Sequence, residues 1–484
     1  MRSSKNGVMA SLIWKFGERI AAQLVSTVVS IILARILCPE DYGIISIVTI
    51  LITLCNALVV GGLGNSLIQK RNADNTDYST VFWSSLVMSL VLYVVMFVLA
   101  QPIALIYKSN QLAMVIKIMS LRIPLAAANS VQHAHISKNM QFRKFFYSTL
   151  IGTVVSAVVG IVMALNGFGV WALVGQYLTN AAINTVVLFA IGWKPKLLFS
   201  FSRLKALLPF GVRMMGVTLL DSFFNEIRGI VISKKFSPTD LAMYDNGKKY
   251  PNLIVTNVNT AIGSVIFPVM SSKQDDRSQI KQLMRKAIRT TVFIMSPLLC
   301  GFMAVSERFV TVVLTEKWIG CVPFIYITAI MCLFYPIHTI NTQALNAIGK
   351  SGKTLKLEIV KKTINIAVLL ISIPFGVIGI AVGSMIVSLI STYINAFYSK
   401  REFNYSFFAQ CKDMSCSLVS SVIMFISVFA FDNLVPVNDI LLLILDVVLG
   451  VAIYVTLAVI LRNPEFKMLW SKVKRIFNHR KGQA

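Results

Sequence analysis

The sequence predicts an all-α integral membrane protein of about 14 transmembrane helices: two six-helix bundles related by an internal repeat, then a C-terminal helix pair. Three observations lead there. Of 484 residues, 56% are apolar and only 14% charged, and the mean hydropathy is +0.73, which leaves too little polar surface to cover a water-soluble core of this size. Apolar runs long enough to cross a bilayer recur along the whole chain. The stretch Ala34-Arg-Ile-Leu-Cys-Pro-Glu-Asp-Tyr-Gly-Ile44 returns 199 residues later as Ser233-Lys-Lys-Phe-Ser-Pro-Thr-Asp-Leu-Ala-Met243.

A helix needs about 20 predominantly apolar residues to cross the hydrocarbon. Candidate spans are centred near residues 22, 52, 91, 123, 155, 180, 219, 257, 297, 331, 367, 387, 424 and 450. The first carries Lys15, Glu18 and Arg19 and continues too far for a cleavable signal peptide, so it is expected to remain as a span. Residues 1–193 form the N-terminal bundle, the polar basic stretch 194–205 a cytoplasmic linker, and 206–402 the second bundle. Residues 403–462 hold the additional pair, spans thirteen and fourteen, and 463–484 a basic cytoplasmic tail. In that tail Phe466, Leu469, Val473, Ile476 and Phe477 recur at helical spacing among Lys467, Lys472, Lys474 and Arg475, a pattern that suits either an amphipathic helix on the inner leaflet or a solvated tail.

The repeat marks the bundle register. Pro39 pairs with Pro238, Asp41 with Asp240 and Arg35 with Lys234, which places a helix stop, a helix start and a charge at equal steps. A second echo, Asn166-Gly-Phe-Gly-Val-Trp-Ala-Leu-Val-Gly175 against Pro374-Phe-Gly-Val-Ile-Gly-Ile-Ala-Val-Gly383, predicts a tight turn between the fifth and sixth spans of each half.

A net charge of +26 raises nucleic acid as a partner, but its distribution excludes that reading. With fourteen spans, 30 of the 46 Lys and Arg fall in the loops and termini of one side, 6 in the opposite loops and 10 within spans. Such asymmetry is the positive-inside pattern and places both termini in the cytoplasm. The seven cysteines are scattered and never spaced C-x-x-C, so neither a disulfide framework nor a zinc site is expected.

A polar side chain deep in a span costs about 2.5–3.5 kcal/mol on insertion scales when charged, so each asks for a reason. Span one carries Lys15, Arg19, Gln23, Ser26 and Ser30 on one helical face. Span seven carries Arg213, Thr218, Asp221, Asn225 and Arg228, with Glu226 beside them. Span two offers Ser46, Thr49, Thr53 and Asn56, and span eight Tyr244, Lys248, Lys249, Asn252, Thr256 and Asn259. Span four adds Lys117, Arg122, Asn129 and His133, and span ten His338, Asn341 and Thr342.

These stripes are expected to line a water-filled cavity. Lys15, Arg19, Arg122, Arg213, Arg228, Lys248 and Lys249 supply substrate-binding cations, while Gln23, Thr49, Asn56, Asn225, Asn252 and Asn259 supply polar contacts. Glu18, Asp221 and Glu226 are the candidates for ion coupling. The competing reading is that polar faces bond between packed helices while the lysines and arginines snorkel to the interface. His133-Ala-His135 has no nearby Cys or carboxylate ligand, so no metal site and no cofactor are expected. Ala347-Ile-Gly-Lys-Ser-Gly-Lys-Thr354 imitates a phosphate-binding loop, yet a membrane span precedes it instead of a strand. Asp446 stands alone among leucines and valines.

Leu33-Ala-Arg-Ile-Leu-Cys-Pro-Glu-Asp-Tyr-Gly43, Phe168-Gly-Val-Trp-Ala-Leu-Val174, Ile266-Phe-Pro-Val-Met-Ser271, Glu316-Lys-Trp318 and Ala344-Leu-Asn-Ala-Ile-Gly-Lys350, in this order, give the chain a resemblance to a family. It resembles the polysaccharide flippases of the Wzx type, the O-antigen and teichuronic-acid kind, within the multidrug, oligosaccharidyl-lipid and polysaccharide exporter superfamily. The resemblance implies a non-enzymatic carrier that turns an undecaprenyl-diphosphate-linked oligosaccharide across the bacterial cytoplasmic membrane by alternating access, for surface polysaccharide or lipopolysaccharide synthesis. It implies the lipid bilayer and the polyprenyl-diphosphate-linked oligosaccharide as partners, with a glycan polymerase and assembly proteins beside them and no nucleic acid. A drug or cation antiporter of the same superfamily is the alternative, and behind it a membrane-embedded glycan polymerase or glycosyltransferase. The antiporter calls for a carboxylate-rich cavity; the polymerase or transferase calls for an acidic motif such as Asp-x-Asp, absent here.

Overall fold

The computed structural model describes residues 5–70, 72–435, 438–468 and 470–471, with all side chains except those of residues 5–16, 18–20, 260, 261, 264, 265, 351, 353 and 355. Most of the tail predicted as an amphipathic helix, from residue 472 onward, therefore lies outside the described residues.

Among the described residues there is no strand. The helices are α1 (Lys5–Ile36), α2 (Pro39–Val59), α3 (Leu63–Gln69), α4 (Asn75–Ile106), α5 (Asn110–Met119), α6 (Arg122–Lys138), α7 (Phe142–Leu165), α8 (Val170–Ile191) and α9 (Phe201–Lys235). They continue with α10 (Pro238–Ser271), α11 (Arg277–Ala304), α12 (Ser306–Phe309), α13 (Val322–Leu333), α14 (Tyr335–Ala347), α15 (Ser351–Ser372), α16 (Gly376–Phe403), α17 (Phe407–Leu434) and α18 (Asp439–Ile460).

Eleven segments of the described chain are long and apolar enough to cross a membrane. The sequence reading gives fourteen, and the difference has a physical source. Residues Lys356–Phe403 form one apolar run that contains parts of both α15 and α16. In α1 the described apolar stretch is only Ala21–Ile36, and α10 carries Asp240, Asp245, Lys248 and Lys249. Large side chains point outward along the spans, including Val87, Leu90, Val91, Val94 and Val98 of α4 and Ile444, Val447, Val448 and Val451 of α18, the arrangement of a multi-pass protein that faces lipid.

The repeated motif builds the same turn twice. Helices α1 and α9 end at Ile36 and Lys235, and α2 and α10 begin with Pro39 and Pro238. Proline suits a first helical position because its missing N–H has no partner there anyway. Asp41 Oδ2 accepts the Cys38 N–H at 3.2 Å, and Asp240 Oδ2 accepts the Ser237 N–H at 3.1 Å. The second echo also holds locally: Gly169 and Gly376 start α8 and α16 from positive φ angles of 53° and 76°, open to glycine at little cost.

Residues 1–242 and 243–484 form two compact units. In the first, α1 lies along α7, α7 pairs with α8, and α6 packs between α2, α3, α4 and α8, while α9 covers α2, α3 and α4. The segment between α8 and α9 is tied to the start of α4. The Trp83 indole donates to the Lys196 carbonyl at 3.0 Å, Ser79 Oγ accepts from the Lys196 N–H at 3.2 Å, and Thr80 Oγ1 from the Ser200 N–H at 3.1 Å. The Trp193 indole reaches Asn75 Oδ1 at 3.0 Å. At the same end Asp77, fully buried, takes Lys70 at 2.7 Å and Arg203 at 3.2 Å, and Arg203 also holds Asp74 at 2.7 Å.

In the second unit α11 is the central post, packed against α13, α14, α16 and α17. The pair α17–α18 docks on it through Phe293, Met424, Val428 and Tyr454. Buried polar contacts fix its register: Ser421 Oγ donates to Ser296 Oγ at 2.8 Å, and Tyr454 OH to the Phe293 carbonyl at 2.9 Å. Buried Asp413 of α17 accepts from Arg285 at 2.7 Å and Tyr405 OH at 2.8 Å, with Arg289 also on Oδ1.

Candidate functional site

Helix α6 is two-faced. Ile123, Ala127, Val131 and Ala134 are buried in the unit core. Arg122, Ala126, Asn129 and His133, at steps of four, three and four, share the other face. That face meets Asn56 of α2 and Asn180, Ala181 and Asn184 of α8, and together they line a cleft of about 150 Å³. A smaller cleft of about 60 Å³ adjoins it through Asn180, between Ser26 of α1, Thr153 and Ser156 of α7, and Gln176 and Tyr177 of α8.

The larger cleft holds unused hydrogen-bonding capacity. Arg122 lies with its guanidinium 4.9 Å from the Tyr177 ring centroid, and its Nη1 is buried without a hydrogen-bond partner. The side-chain oxygens of Asn56, Asn129 and Asn184 are likewise buried and receive no hydrogen bond. Asn129 Nδ2 donates to Thr185 Oγ1 at 2.9 Å and Asn180 Nδ2 to Ser156 Oγ at 3.3 Å, which fixes these amides in place. His133 stacks on Phe145 with ring centroids 4.5 Å apart.

A buried polar group left unmet costs about 1–3 kcal/mol, so four in one cleft call for water or a polar ligand and exclude an acyl chain. The lining residues contain one cation and no carboxylate, which favours an anion or a neutral hydroxyl-rich group. The volume suits a phosphate or a single polar ring, below the roughly 300–1,000 Å³ of a drug-sized pocket.

Of the residues read from the sequence as polar stripes, the structure brings Asn56, Arg122, Asn129 and His133 together here. Thr49 lies seven residues before Asn56 on α2, its hydroxyl buried without a partner. Gln23 is half-buried on α1, its carbonyl accepting from Thr27 at 2.8 Å. On α9, Arg213, Asp221 and Asn225 are exposed, and Glu226 and Arg228 half-buried. On α10, Lys248 lies 4.5 Å from the Tyr244 ring centroid and Lys249 5.8 Å from that of Tyr250. Asn252 Oδ1 faces the Cys332 thiol at 3.9 Å, and Asn259 Nδ2 is buried without a partner. The side chains of Lys15, Glu18 and Arg19 lie outside the described residues.

Sequence reasoning missed the α8 wall. Gln176, Asn180 and Asn184 recur every four residues, the same signal read on α1 and α2, and were legible as a polar stripe.

Comparison with known proteins bears on this arrangement. Residues 32–323, more than half of the chain, match a family model described as polysaccharide biosynthesis protein. The succinoglycan biosynthesis transport protein ExoT of Rhizobium meliloti is 27% identical over 300 residues, 62% of this chain and 61% of that protein, so the match spans less than two thirds of its length. The lipopolysaccharide biosynthesis protein WzxC of Escherichia coli is 24% identical over 376 residues, 76% of this chain and 75% of that one. Among solved structures, the lipid II flippase MurJ in an inward closed conformation superposes with a TM-score of 0.76 at 15% identity, covering 94% of this chain and 99% of that one, a likeness of fold.

Proposed function

Since the chain belongs to the polysaccharide biosynthesis protein family, we propose that it is a flippase that moves an undecaprenyl-diphosphate-linked oligosaccharide across the bacterial cytoplasmic membrane by alternating access. The observation that carries this reading is the Arg122 cleft, a buried cation and three amide oxygens that need a polar occupant inside a protein faced with lipid. Arg122 holds the diphosphate, and Asn56, Asn129, Asn180 and Asn184 hold sugar hydroxyls or the water around them. The polyprenyl tail stays in the bilayer. The names of the relatives, a transport protein for one exopolysaccharide and a Wzx protein for lipopolysaccharide, and the MurJ-like fold support the same class of cargo.

The fold completes the proposal. Counting α1, α10 and the separate α15 and α16, we assign fourteen spans in two six-helix bundles, residues 1–193 and 206–402, joined by 194–205, with 403–462 as an additional pair and 463–484 as a cytoplasmic tail. The loop charges then place both termini in the cytoplasm. The remaining cations, Lys15, Arg19, Arg213, Arg228, Lys248 and Lys249, contribute along the path of the diphosphate. A membrane potential of about 100 mV, negative inside, favours export by about 2.3 kcal/mol per negative charge. The cleft lining, free of carboxylates, argues against a cation antiporter.

The test is deletion of the gene in its native host with complementation by wild type or Arg122→Ala. Loss of surface glycan with accumulation of the lipid-linked intermediate is expected for the deletion. Unchanged glycan and no intermediate overturn the flippase reading.

A further inference from the structure

One buried carboxyl plays no part in the cleft. Asp446 lies seven residues into α18, about 10 Å along the axis from Asp439. It is 1% exposed, and neither of its carboxyl oxygens has a hydrogen-bond partner. An ionised carboxylate in that position has lost its water and gained no donor, a strongly unfavourable arrangement.

The charged groups that face it are Asp432, near the end of α17, and Arg308 of α12. Arg308 is already engaged: Nε binds Asp432 Oδ1, Nη1 binds Asp439 Oδ1, and Nη2 donates to the Asp432 carbonyl at 3.1 Å. Helix α11, which also packs against α18, brings no charge to this end, its last eight residues being Pro297 to Ala304. One guanidinium thus stands among three carboxyl groups, and the group beside Asp446 is a second acceptor.

We propose that Asp446 and Asp432 share one bound proton, making the far end of the α17–α18 pair a proton-binding site held by Arg308. The proton supplies the hydrogen bond that the Asp446 carboxyl lacks. Asp446 O–H donates to the Asp432 carboxylate, and the one remaining charge of the pair is matched by Arg308, so the buried charge is neutralised and one Asp446 oxygen gains a hydrogen bond. A metal ion fits less well, since among the described residues no group of three His, Cys, Asp or Glu converges on one point and Arg308 already holds Asp432 and Asp439. When the proton leaves, two adjacent carboxylates confront a single guanidinium and repel across the α17–α18 contact. The site shares no residue with the Arg122 cleft and does not depend on the cargo.

The test uses the full chain in lipid nanodiscs, followed by infrared difference spectroscopy and thermal unfolding across pH. At neutral pH the carbonyl stretch of a protonated carboxylic acid is expected, lost on alkalinisation and absent from Asp446→Asn and Asp432→Asn. Asp446→Asn puts an amide donor where the proton was, so it folds. The native state holds a proton that the unfolded chain releases, so the wild-type melting temperature falls as pH rises from about 4, where an unfolded carboxyl titrates, until the native proton leaves, and Asp446→Asn lacks that part of the slope. A band that persists in Asp446→Asn, or one that sodium chloride removes at fixed pH, overturns the proposal, the latter in favour of a sodium site.

Discussion

Gly43, one turn into α2, lies directly against the backbone carbonyl of Pro238, the first residue of α10, so closely that a Cβ at position 43 would overlap it. The two copies of the repeated turn therefore touch, one through a missing side chain. The equivalent residue of the second copy is Ala242, so the copies share a design and differ at the contact.

Gly43→Ala is accordingly expected to force α2 and the α10 start apart and to lower stability by about 1–3 kcal/mol, as overpacking does. Thermal unfolding of the purified protein in detergent measures it, and Gly43→Leu should fall further or fail to accumulate. An unchanged melting temperature for both would show that the contact yields without strain.

Asp77 is buried between Lys70 and Arg203, and its loss should be felt. The cations left behind are partly exposed and Arg203 keeps Asp74, so the cost is that of the lost charge-assisted hydrogen bonds, about 1.5–3 kcal/mol. Asp77→Ala is expected to show that loss by thermal unfolding, while Lys70→Ala, half-exposed and leaving Arg203 in place, should cost less.

The neighbouring Asp74 gives a pH dependence. Its carboxyl caps α4 by accepting the Asp77 N–H at 2.9 Å, and that hydrogen bond, with Arg203, holds it below the usual carboxylate range. A carboxyl held low in the folded state stabilises above its unfolded pKa, about 3.9, and the contribution disappears as pH falls through the folded value. Asp74→Ala should cost roughly 1 kcal/mol at neutral pH, with a difference from wild type that shrinks in acid.

Arg122 is the residue on which the proposed cargo site turns. Arg122→Ala should abolish or strongly reduce complementation of surface glycan while the protein still reaches the membrane, and Arg122→Lys should retain part of it, keeping the charge without the planar fork. Asn184→Ala is expected to have a smaller effect, read as slower clearance of the lipid-linked intermediate. Full activity in Arg122→Ala would move the diphosphate site elsewhere.

Cys38 offers a direct reading of orientation. It is exposed in the turn between α1 and α2, which the proposed topology puts outside the cell. In a variant with Cys38 as the sole cysteine, a membrane-impermeant maleimide should label intact spheroplasts. Labelling only after lysis would invert the topology.

Much of the fold was legible in the sequence because its signals are local. Pro39, Asp41 and their counterparts Pro238 and Asp240 mark helix starts by chemistry confined to one turn, and Gly169 and Gly376 mark turns by their own backbone freedom. The cleft was legible only in part. Asn56, Arg122, Asn129 and His133 stood out as polar residues within apolar runs, but their assembly with Asn180 and Asn184 depends on which faces of α2, α6 and α8 meet, and periodicity within one helix does not say which neighbour it faces. The Asp77 pair with Arg203 and the Asp413 pair with Arg285 span more than a hundred residues each, beyond any local pattern.

The tie between α4 and the segment before α9 also has a consequence in time. Its hydrogen bonds join residues 113 to 120 apart in the chain. At roughly 5–20 residues per second of synthesis, α4 emerges from the ribosome on the order of 6–24 s before the segment that fastens it. Through that interval Asp77 has no Arg203, but Lys70, seven residues upstream, has already been made, a counterion available from the start that Arg203 later joins.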